Sequence, residues 1–310
     1  MKQKTKKNLK LSCMIQDYLR HCLVEKRLNE KTIKAYQSDL SQFVQYAGDA
    51  DISTLSKEDI RNYLQRISNY KHKTIKRKIA SLKALLNYFE CENEWYKNPM
   101  RKMKIRMREP KRLPTVMNIE DIEALLNIVY KQQMACKPQT FSYAMATRNI
   151  AIVELLFASG IRVSELCDLR LCDVDIRQGR IRIIGKGNKE RIIDISQEAT
   201  LTAVKNWQNE RDQRDSLAPL FISRIHRKLS TQSVRLLIKS LVSISQIKKH
   251  ITPHTFRHTL ATLLLEEDID ITYIQHVLGH SSIATTQIYT HVNLKKQHDI
   301  LSKKHPRRRI

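Results

Sequence analysis

The stretch that decides the fold runs Ala158-Ser-Gly-Ile-Arg-Val-Ser-Glu-Leu166. The residues from Thr147 to Ser159 are mostly apolar and predict a helix. Gly160 fits the position just after that helix, where a left-handed backbone favours glycine. Arg162 therefore follows a turn that leads out of a helix. Taken alone, such an arginine is more often a solvated surface residue than part of a site.

A second informative segment lies around Lys186. The β-rich stretches Ile181 to Ile184 and Arg191 to Ile195 flank Gly185-Lys-Gly-Asn188. This pattern predicts a β-hairpin with Lys186 near its tip. Because lysine is ordinary in turns, the spacing leaves Lys189 and Arg191 as rivals for any role given to Lys186.

Two further segments carry histidine, arginine and tyrosine. Thr252-Pro-His-Thr-Phe-Arg-His258 predicts a helix start, since proline is favoured in a first helical turn. His254 and Arg257 are three residues apart and share one helical face. His254 and His258 also have zinc spacing, but Thr255 stands where a zincin has its glutamate, so no metal site is predicted. The last segment, Leu278-Gly-His-Ser-Ser-Ile-Ala-Thr-Thr-Gln-Ile-Tyr289, ends in an aromatic hydroxyl.

The rest of the chain suggests two domains. Its 310 residues exceed one typical domain, and the formal net charge of +25 points to a polyanionic partner. The first half predicts four short helices, the second a mixture of helices and the hairpin. We therefore expect a mainly α protein: a helical domain over 1–97, a basic linker over 98–114 that holds seven Lys or Arg, and a mixed α/β domain over 115–310.

Cellular context follows from the thiols and the apolar runs. The six cysteines form no C-x-x-C pair, which favours buried free thiols in a reducing compartment. The longest apolar run, Ile150 to Ala158, contains Glu154 and is too short to span a bilayer. These patterns predict a cytoplasmic protein with no membrane partner.

In this order and at these separations, the four segments resemble the tyrosine recombinase (lambda-integrase-like) family, most of all its Xer-type members. The resemblance covers nearly the whole chain. It implies an all-α, SAM-like core-binding domain followed by a mixed α/β catalytic domain with a small antiparallel sheet. It also implies a site-specific recombinase that needs no cofactor, metal or ATP. The implied catalytic residues are Arg162, Lys186, His254, Arg257, His280 and Tyr289.

The chemistry explains these residue types. Attack on a phosphodiester concentrates negative charge on the phosphoryl oxygens, which Arg162 and Arg257 can clamp bidentately. Tyr289 is a weak nucleophile with an ordinary pKa of about 10, so a base such as His254 must take its proton. The resemblance implies a 3′-phosphotyrosine product, with Lys186 as proton donor to the 5′ oxygen and His280 as a phosphate contact. The division of work between the two histidines is left open, and Glu165 is expected to pair with an arginine.

The implied partners are double-stranded DNA with paired recombination half-sites and further protomers. We expect a tetramer on two DNAs, built from this chain or with a related recombinase. Leu294, Ile300 and Leu301 give 293–304 an apolar stripe that would dock on a neighbouring protomer, or pack in cis. Outside the apolar stripe, the fourth helix carries a basic cluster: Lys73, Lys76, Arg77, Lys78 and Lys83. We expect this cluster to contact DNA; the alternative is a solvated basic face.

Several other functions remain open from the sequence. A mobile-element integrase or invertase would share the fold and the chemistry. A type IB topoisomerase-like enzyme would cut a single duplex without exchange. A non-catalytic DNA-binding protein would keep the charge but would not need Tyr289.

Overall fold

The computed structural model describes residues 10–105, 114–185, 190–211 and 215–279. Within these residues, the first half of the chain is helical, as predicted. Four α-helices and one 3-10 turn follow one another: α1 (Leu11–Val24), α2 (Glu30–Ala47), η1 (Ile52–Thr54), α3 (Lys57–Arg66) and α4 (His72–Glu92). Their apolar faces meet in one core that includes Leu40, Phe43, Leu82 and Phe89. Ser56 caps α3 through a reciprocal pair of hydrogen bonds with Asp59.

The chain divides into two units, Met1–Lys111 and Arg112–Ile310. The linker predicted over 98–114 begins inside the first of these two units. Asn98 donates its backbone N–H to Glu90 Oε1 at 3.0 Å and its side-chain amide to Asn87 Oδ1 at 2.6 Å, and Met100 is buried. The first part of 98–114 therefore belongs to the first unit, because these contacts anchor it there. Residues 106–113 lie outside the described part.

The second unit combines helices with a small sheet. Its elements are α5 (Ile119–Met134), α6 (Phe141–Ser159), α7 (Val163–Asp168), η2 (Leu171–Asp173), β1 (Val174–Asp175), β2 (Arg180–Ile184), β3 (Glu190–Asp194), α8 (Glu198–Asn209), α9 (Thr231–Ser245), α10 (Pro253–Glu266) and α11 (Ile271–Leu278). The predominantly helical fold with a minor sheet confirms the expected fold class.

The sheet is antiparallel in the order β1-β2-β3. In its hairpin, Ile181 pairs with Ile193 and Ile183 pairs with Arg191. The isoleucines Ile181, Ile183 and Ile193 are buried, because alternate residues of a strand point to the same face. The sequence predicted this hairpin but missed β1 and α7, which are too short to show a period.

Helix α6 runs through the centre of the second unit. Its residues from Ile150 to Leu156 are all buried, including Glu154, whose carboxylate accepts from Tyr130 Oη and Thr200 Oγ1, both at 2.9 Å. Buried carboxylates require such partners. The C-terminal end of this central helix, and the turn that follows it, lie beside the catalytic candidates.

Two further expectations concern thiols and membranes. All six cysteines are free, but the prediction that they are buried holds for Cys22 and Cys167 and is wrong for Cys13, Cys91 and Cys172, which are exposed. Cys136 is partly exposed. Among the described helices, none combines the length and the apolar character that crossing a bilayer would require.

Candidate active site

The turn after α6 packs tightly against two later helices. Gly160 adopts a left-handed backbone with φ of +58°, and a Cβ there would lie 2.8 Å from Leu278 Cδ2 and 2.9 Å from Leu260 Cδ2. Both the conformation and the close approach require glycine. The chain then enters α7 at Arg162, so this turn places the arginine beside α10 and α11.

Glu165 holds Arg162 in place. Its carboxylate accepts from the Arg162 backbone N–H at 2.9 Å and from Arg162 Nη1 at 2.7 Å. It also accepts from Arg191 Nη1 at 3.1 Å and Nη2 at 2.8 Å. Burial alone raises the pKa of the Glu165 carboxyl, but the hydrogen bonds from Arg191 and Arg162 outweigh it and lower this pKa to about 2. Glu165 therefore stays ionised, and the expected carboxylate–arginine pairing is present.

Arg257 lies on the first turns of α10 and is almost fully buried. Thr252 stands at the N-cap and Pro253 opens the helix, as the sequence predicted. Arg257 Nη1 donates to the Gly160 carbonyl at 2.9 Å, and Nη2 donates to the Leu278 carbonyl. A buried guanidinium held by two carbonyls has a fixed orientation, which preorganises it for an anion.

His254 shares this face of α10 and remains exposed. Desolvation lowers its pKa, and the positive charges of Arg257, Arg235 and Arg162 lower it further. The imidazole is therefore mostly neutral near pH 7, with a nitrogen that can accept a proton. Desolvation, His254 and Arg257 likewise lower the pKa of His258. Among the described residues, no group of three or more His, Cys, Asp or Glu is placed to hold a metal.

The C-terminal end of α11 accepts hydrogen bonds from three different arginines. The Val277 carbonyl accepts from Arg191 Nε at 3.3 Å, the Leu278 carbonyl from Arg257 Nη2, and the Gly279 carbonyl from Arg162 Nη2 at 3.0 Å. Helix C-terminal carbonyls carry partial negative charge and favour cations. This end of α11 therefore brings Arg162 and Arg257 together, directly before His280 in the sequence.

The structure thus brings together three of the six catalytic candidates: Arg162, His254 and Arg257. Lys186, His280 and Tyr289 lie outside the described residues, as does Lys189, a rival to Lys186. The other rival, Arg191, pairs with Glu165 and is only 15% exposed in its side chain.

Sequence reasoning missed two arginines near these groups. The spacing indicates Arg191 only as a rival to Lys186, and no sequence pattern points to Arg235 of α9. Arg235 is exposed, and its charge acts on His254. No local spacing connects either residue with the site, because β3 and α9 reach it only through tertiary packing.

The side chains of the basic cluster on α4, in the first unit, differ in their exposure to solvent. Lys73, Lys76 and Lys83 are exposed, and Arg77 is 45% exposed while its Nη1 donates to Asp39 Oδ2 at 2.5 Å. Lys78 is buried, donates to Gln42 Oε1 at 2.5 Å and lies 3.4 Å from Asp39 Oδ1. The prediction that Lys78 contacts DNA is incompatible with this burial, because its ammonium neutralises a buried carboxylate instead.

The Glu165 ion pairs have a testable consequence for stability. Since the folded-state pKa lies below the ordinary value of 4.5, the stabilisation is complete above about pH 4.5 and is lost as the pH falls toward 2. The difference in unfolding free energy between wild type and Glu165→Gln should therefore shrink over this range by up to about 3 kcal/mol.

Urea titrations at several pH values would measure this difference in a Trp95→Phe background. That background leaves Trp207, buried in the second unit, as the only tryptophan. Comparing two proteins that share every other carboxylate isolates Glu165. A difference that stays constant from pH 6 to pH 2.5 would contradict the pairing.

Family models and curated relatives match both units of the chain. Residues 15–93 match the phage integrase N-terminal SAM-like domain, and residues 116–296 match the phage integrase family. A protein of Agathobacter rectalis named tyrosine recombinase is 46% identical over 300 residues, covering 96% of this chain and 98% of the relative. Tyrosine recombinase XerD of Listeria monocytogenes is 35% identical, covering 95% of this chain and 99% of the relative.

Solved structures show the same fold. The pre-cleavage complex of the XerH site-specific recombinase with its difH substrate is similar with a TM-score of 0.76 and 20% identity, covering 97% of each chain. A Tn1549 transposon integrase bound to transposon right end DNA gives a TM-score of 0.71 at 19% identity, covering 95% of this chain and 99% of the other. The matches over both units show that the chain belongs to the phage integrase family as a tyrosine recombinase similar to the Xer type.

Proposed function

We propose that this protein is a site-specific DNA recombinase that cuts and rejoins strands through a 3′-phosphotyrosine on Tyr289. The observation that carries the proposal is the convergence of Arg162 and Arg257 on the carbonyls of Gly279 and Leu278. Two rigid guanidiniums at one point form a receptor for a phosphodiester. The chain continues from this point to Tyr289, ten residues after Gly279.

In the proposed cleavage step, the Tyr289 Oη–phosphorus bond forms while the bond from phosphorus to the 5′ oxygen breaks. His254 accepts the tyrosine proton, which its lowered pKa and exposed ring permit. Lys186 supplies a proton to the departing 5′ oxygen, and Arg162 and Arg257 neutralise the charge that builds on the phosphoryl oxygens. His280 contacts the phosphate.

The same step runs in reverse when a 5′ hydroxyl of a second DNA attacks the phosphotyrosine. The ester conserves the energy of the broken bond, so rejoining consumes no ATP. Every proton and charge in the step is assigned to a side chain of the protein. The proposed chemistry therefore uses no metal and no cofactor.

DNA engagement is proposed to involve both halves of the chain, since both are basic, with a net charge of +15 over 1–112 and +10 over 113–310. On α4, the exposed side chains of Lys73, Lys76, Arg77 and Lys83 would contact phosphates, whereas the ammonium of Lys78 is buried and would not. Strand exchange joins two duplexes that are each cut on two half-sites. We therefore propose a tetramer on two DNAs, with 293–304 docking on a neighbouring protomer.

Trapping the covalent intermediate tests the proposal. The protein is incubated with host genomic DNA fragments that have been nicked, so that the released short strand diffuses away and rejoining is prevented. We expect an adduct that survives denaturation, forms equally in EDTA and leaves a free 5′ hydroxyl. Loss of the adduct in EDTA would overturn the metal-free mechanism, and a 5′-linked adduct would overturn the polarity.

The recovered DNA then decides the biological role. Two differently sized duplexes that carry the trapped site should be joined to each other. Supercoil relaxation without such joining would identify a topoisomerase-like enzyme instead. A trapped site in the chromosome, outside mobile elements, would support an Xer-like role in resolving chromosome dimers, whereas element ends would support an integrase and inverted pairs an invertase.

A further inference from the structure

Arg191 lies on β3, opposite Ile183 of β2, and its side chain reaches out of the sheet toward α7 and α11. There it is largely buried, with 15% of the side chain exposed. The sheet thus contributes a guanidinium to the same place where α6, α10 and α11 meet.

The donors of Arg191 are committed within the protein. Nη1 and Nη2 form a two-pronged pair with Glu165 at 3.1 and 2.8 Å, while Nε donates to the Val277 carbonyl at 3.3 Å. Gly279 packs on the same group, since a Cβ at Gly279 would lie 3.0 Å from Arg191 Cζ. The guanidinium therefore contacts both the carboxylate that orients Arg162 and the end of α11.

These contacts close a ring. Arg191 binds Glu165, Glu165 binds Arg162, Arg162 donates to the Gly279 carbonyl, and Gly279 packs against Arg191. A displacement of the end of α11 must therefore disturb Arg162, and the reverse also holds. Lysine cannot replace Arg191 here, because a single ammonium cannot make a two-pronged carboxylate contact and also reach a carbonyl from Nε.

We infer that Arg191 is a positioning residue of the strand-cleavage reaction. It holds the end of α11 at a fixed position relative to Arg162 and Arg257. The chain continues from that end to His280 and Tyr289. The inference rests on the proposed function. Arg191 acts on nucleophile alignment and does not itself contact the phosphate. Misplacement of a reacting group by about 1 Å costs on the order of 100-fold in rate.

The test uses Arg191→Lys and Arg191→Gln on a nicked duplex that carries the DNA site recovered from the trapped adduct. We expect the single-turnover rate of adduct formation to fall about 100-fold in both variants, with duplex affinity within about threefold of wild type. Arg180→Lys is the matched control, because Arg180 of β2 forms an exposed ion pair with Asp194 in the same sheet. Its rate should equal that of wild type.

A second substrate separates nucleophile alignment from leaving-group protonation. In this second DNA substrate, sulfur replaces the 5′ bridging oxygen of the scissile phosphate. The leaving group is then a thiolate, which needs no proton from Lys186. We expect the Arg191 defect to persist with this substrate. Recovery of the wild-type rate would overturn the inference, since Arg191 would then act through the hairpin that carries Lys186.

Three other outcomes also decide the matter. Unchanged rates in both Arg191 variants would overturn the inference while the proposed function stands. Parallel losses of duplex affinity and of Trp207 burial, read by fluorescence, would show a general structural role and overturn it too. Absence of an adduct with the wild-type protein would overturn the proposed function and the inference together.

Discussion

Replacing Tyr289 with phenylalanine is expected to abolish the covalent protein–DNA adduct and to leave duplex binding within about twofold of wild type. In the proposed mechanism the phenol oxygen forms the bond to phosphorus, and phenylalanine keeps the ring while removing that atom. Charge on Lys and Arg side chains supplies most of the duplex affinity and is untouched. Adduct yield on denaturing gels and a binding titration measure the two effects separately.

Tyr273→Phe provides the matched control. Tyr273 lies on α11, in the segment that precedes Tyr289, and its side chain is exposed. Loss of its hydroxyl should leave the adduct yield unchanged. If Tyr289→Phe forms as much adduct as wild type, the nucleophile is another residue and the proposed mechanism fails.

The second large effect is expected for Arg257→Lys, which should slow adduct formation by about 1,000-fold. Lysine keeps the positive charge but cannot donate to the carbonyls of Gly160 and Leu278 and still clamp a phosphate oxygen. A preorganised donor aimed at developing charge contributes most in the transition state. The rate should therefore fall far more than the duplex affinity.

Single-turnover kinetics at saturating protein measure this loss without interference from binding. Arg235→Lys is an informative comparison, because Arg235 is exposed and acts on His254 only through its charge, which lysine retains. Its rate should remain within about threefold of wild type. A rate for Arg257→Lys within tenfold of wild type would contradict a role for Arg257 in clamping the phosphate.

Much of the fold follows from local patterns. Helix α6 ends at Ser159 before Gly160, the β2–β3 hairpin lies where alternation predicts it, and the start of α10 at Pro253 agrees as well. Local rules succeed here because each of these segments carries its own stripe, cap or turn residues. They fail for β1 and α7, which are short: β1 forms by pairing with β2, and α7 is held by the contacts of Glu165 with Arg162 and Arg191.

The DNA-facing residues show the same limit. From periodicity, Lys78 belongs with the basic face of α4, but Asp39 and Gln42 of α2 draw its ammonium into the interior. A buried carboxylate recruits a cation from whatever helix packs against it, and this depends on the packing of α2 against α4. Sequence spacing contains no information about that contact.

By itself, the sequence determined the family, the helical character and the residue types of the site, since these depend on motifs that can be read along the chain. Only the tertiary structure decided which groups hold those residues. Arg162 and Arg257 meet at the end of α11, and Glu165 and Arg191 join them from elements far apart in the chain. The physical reason is that buried charges and helix-end carbonyls must find partners, and only the packed chain determines which ones lie within hydrogen-bonding distance.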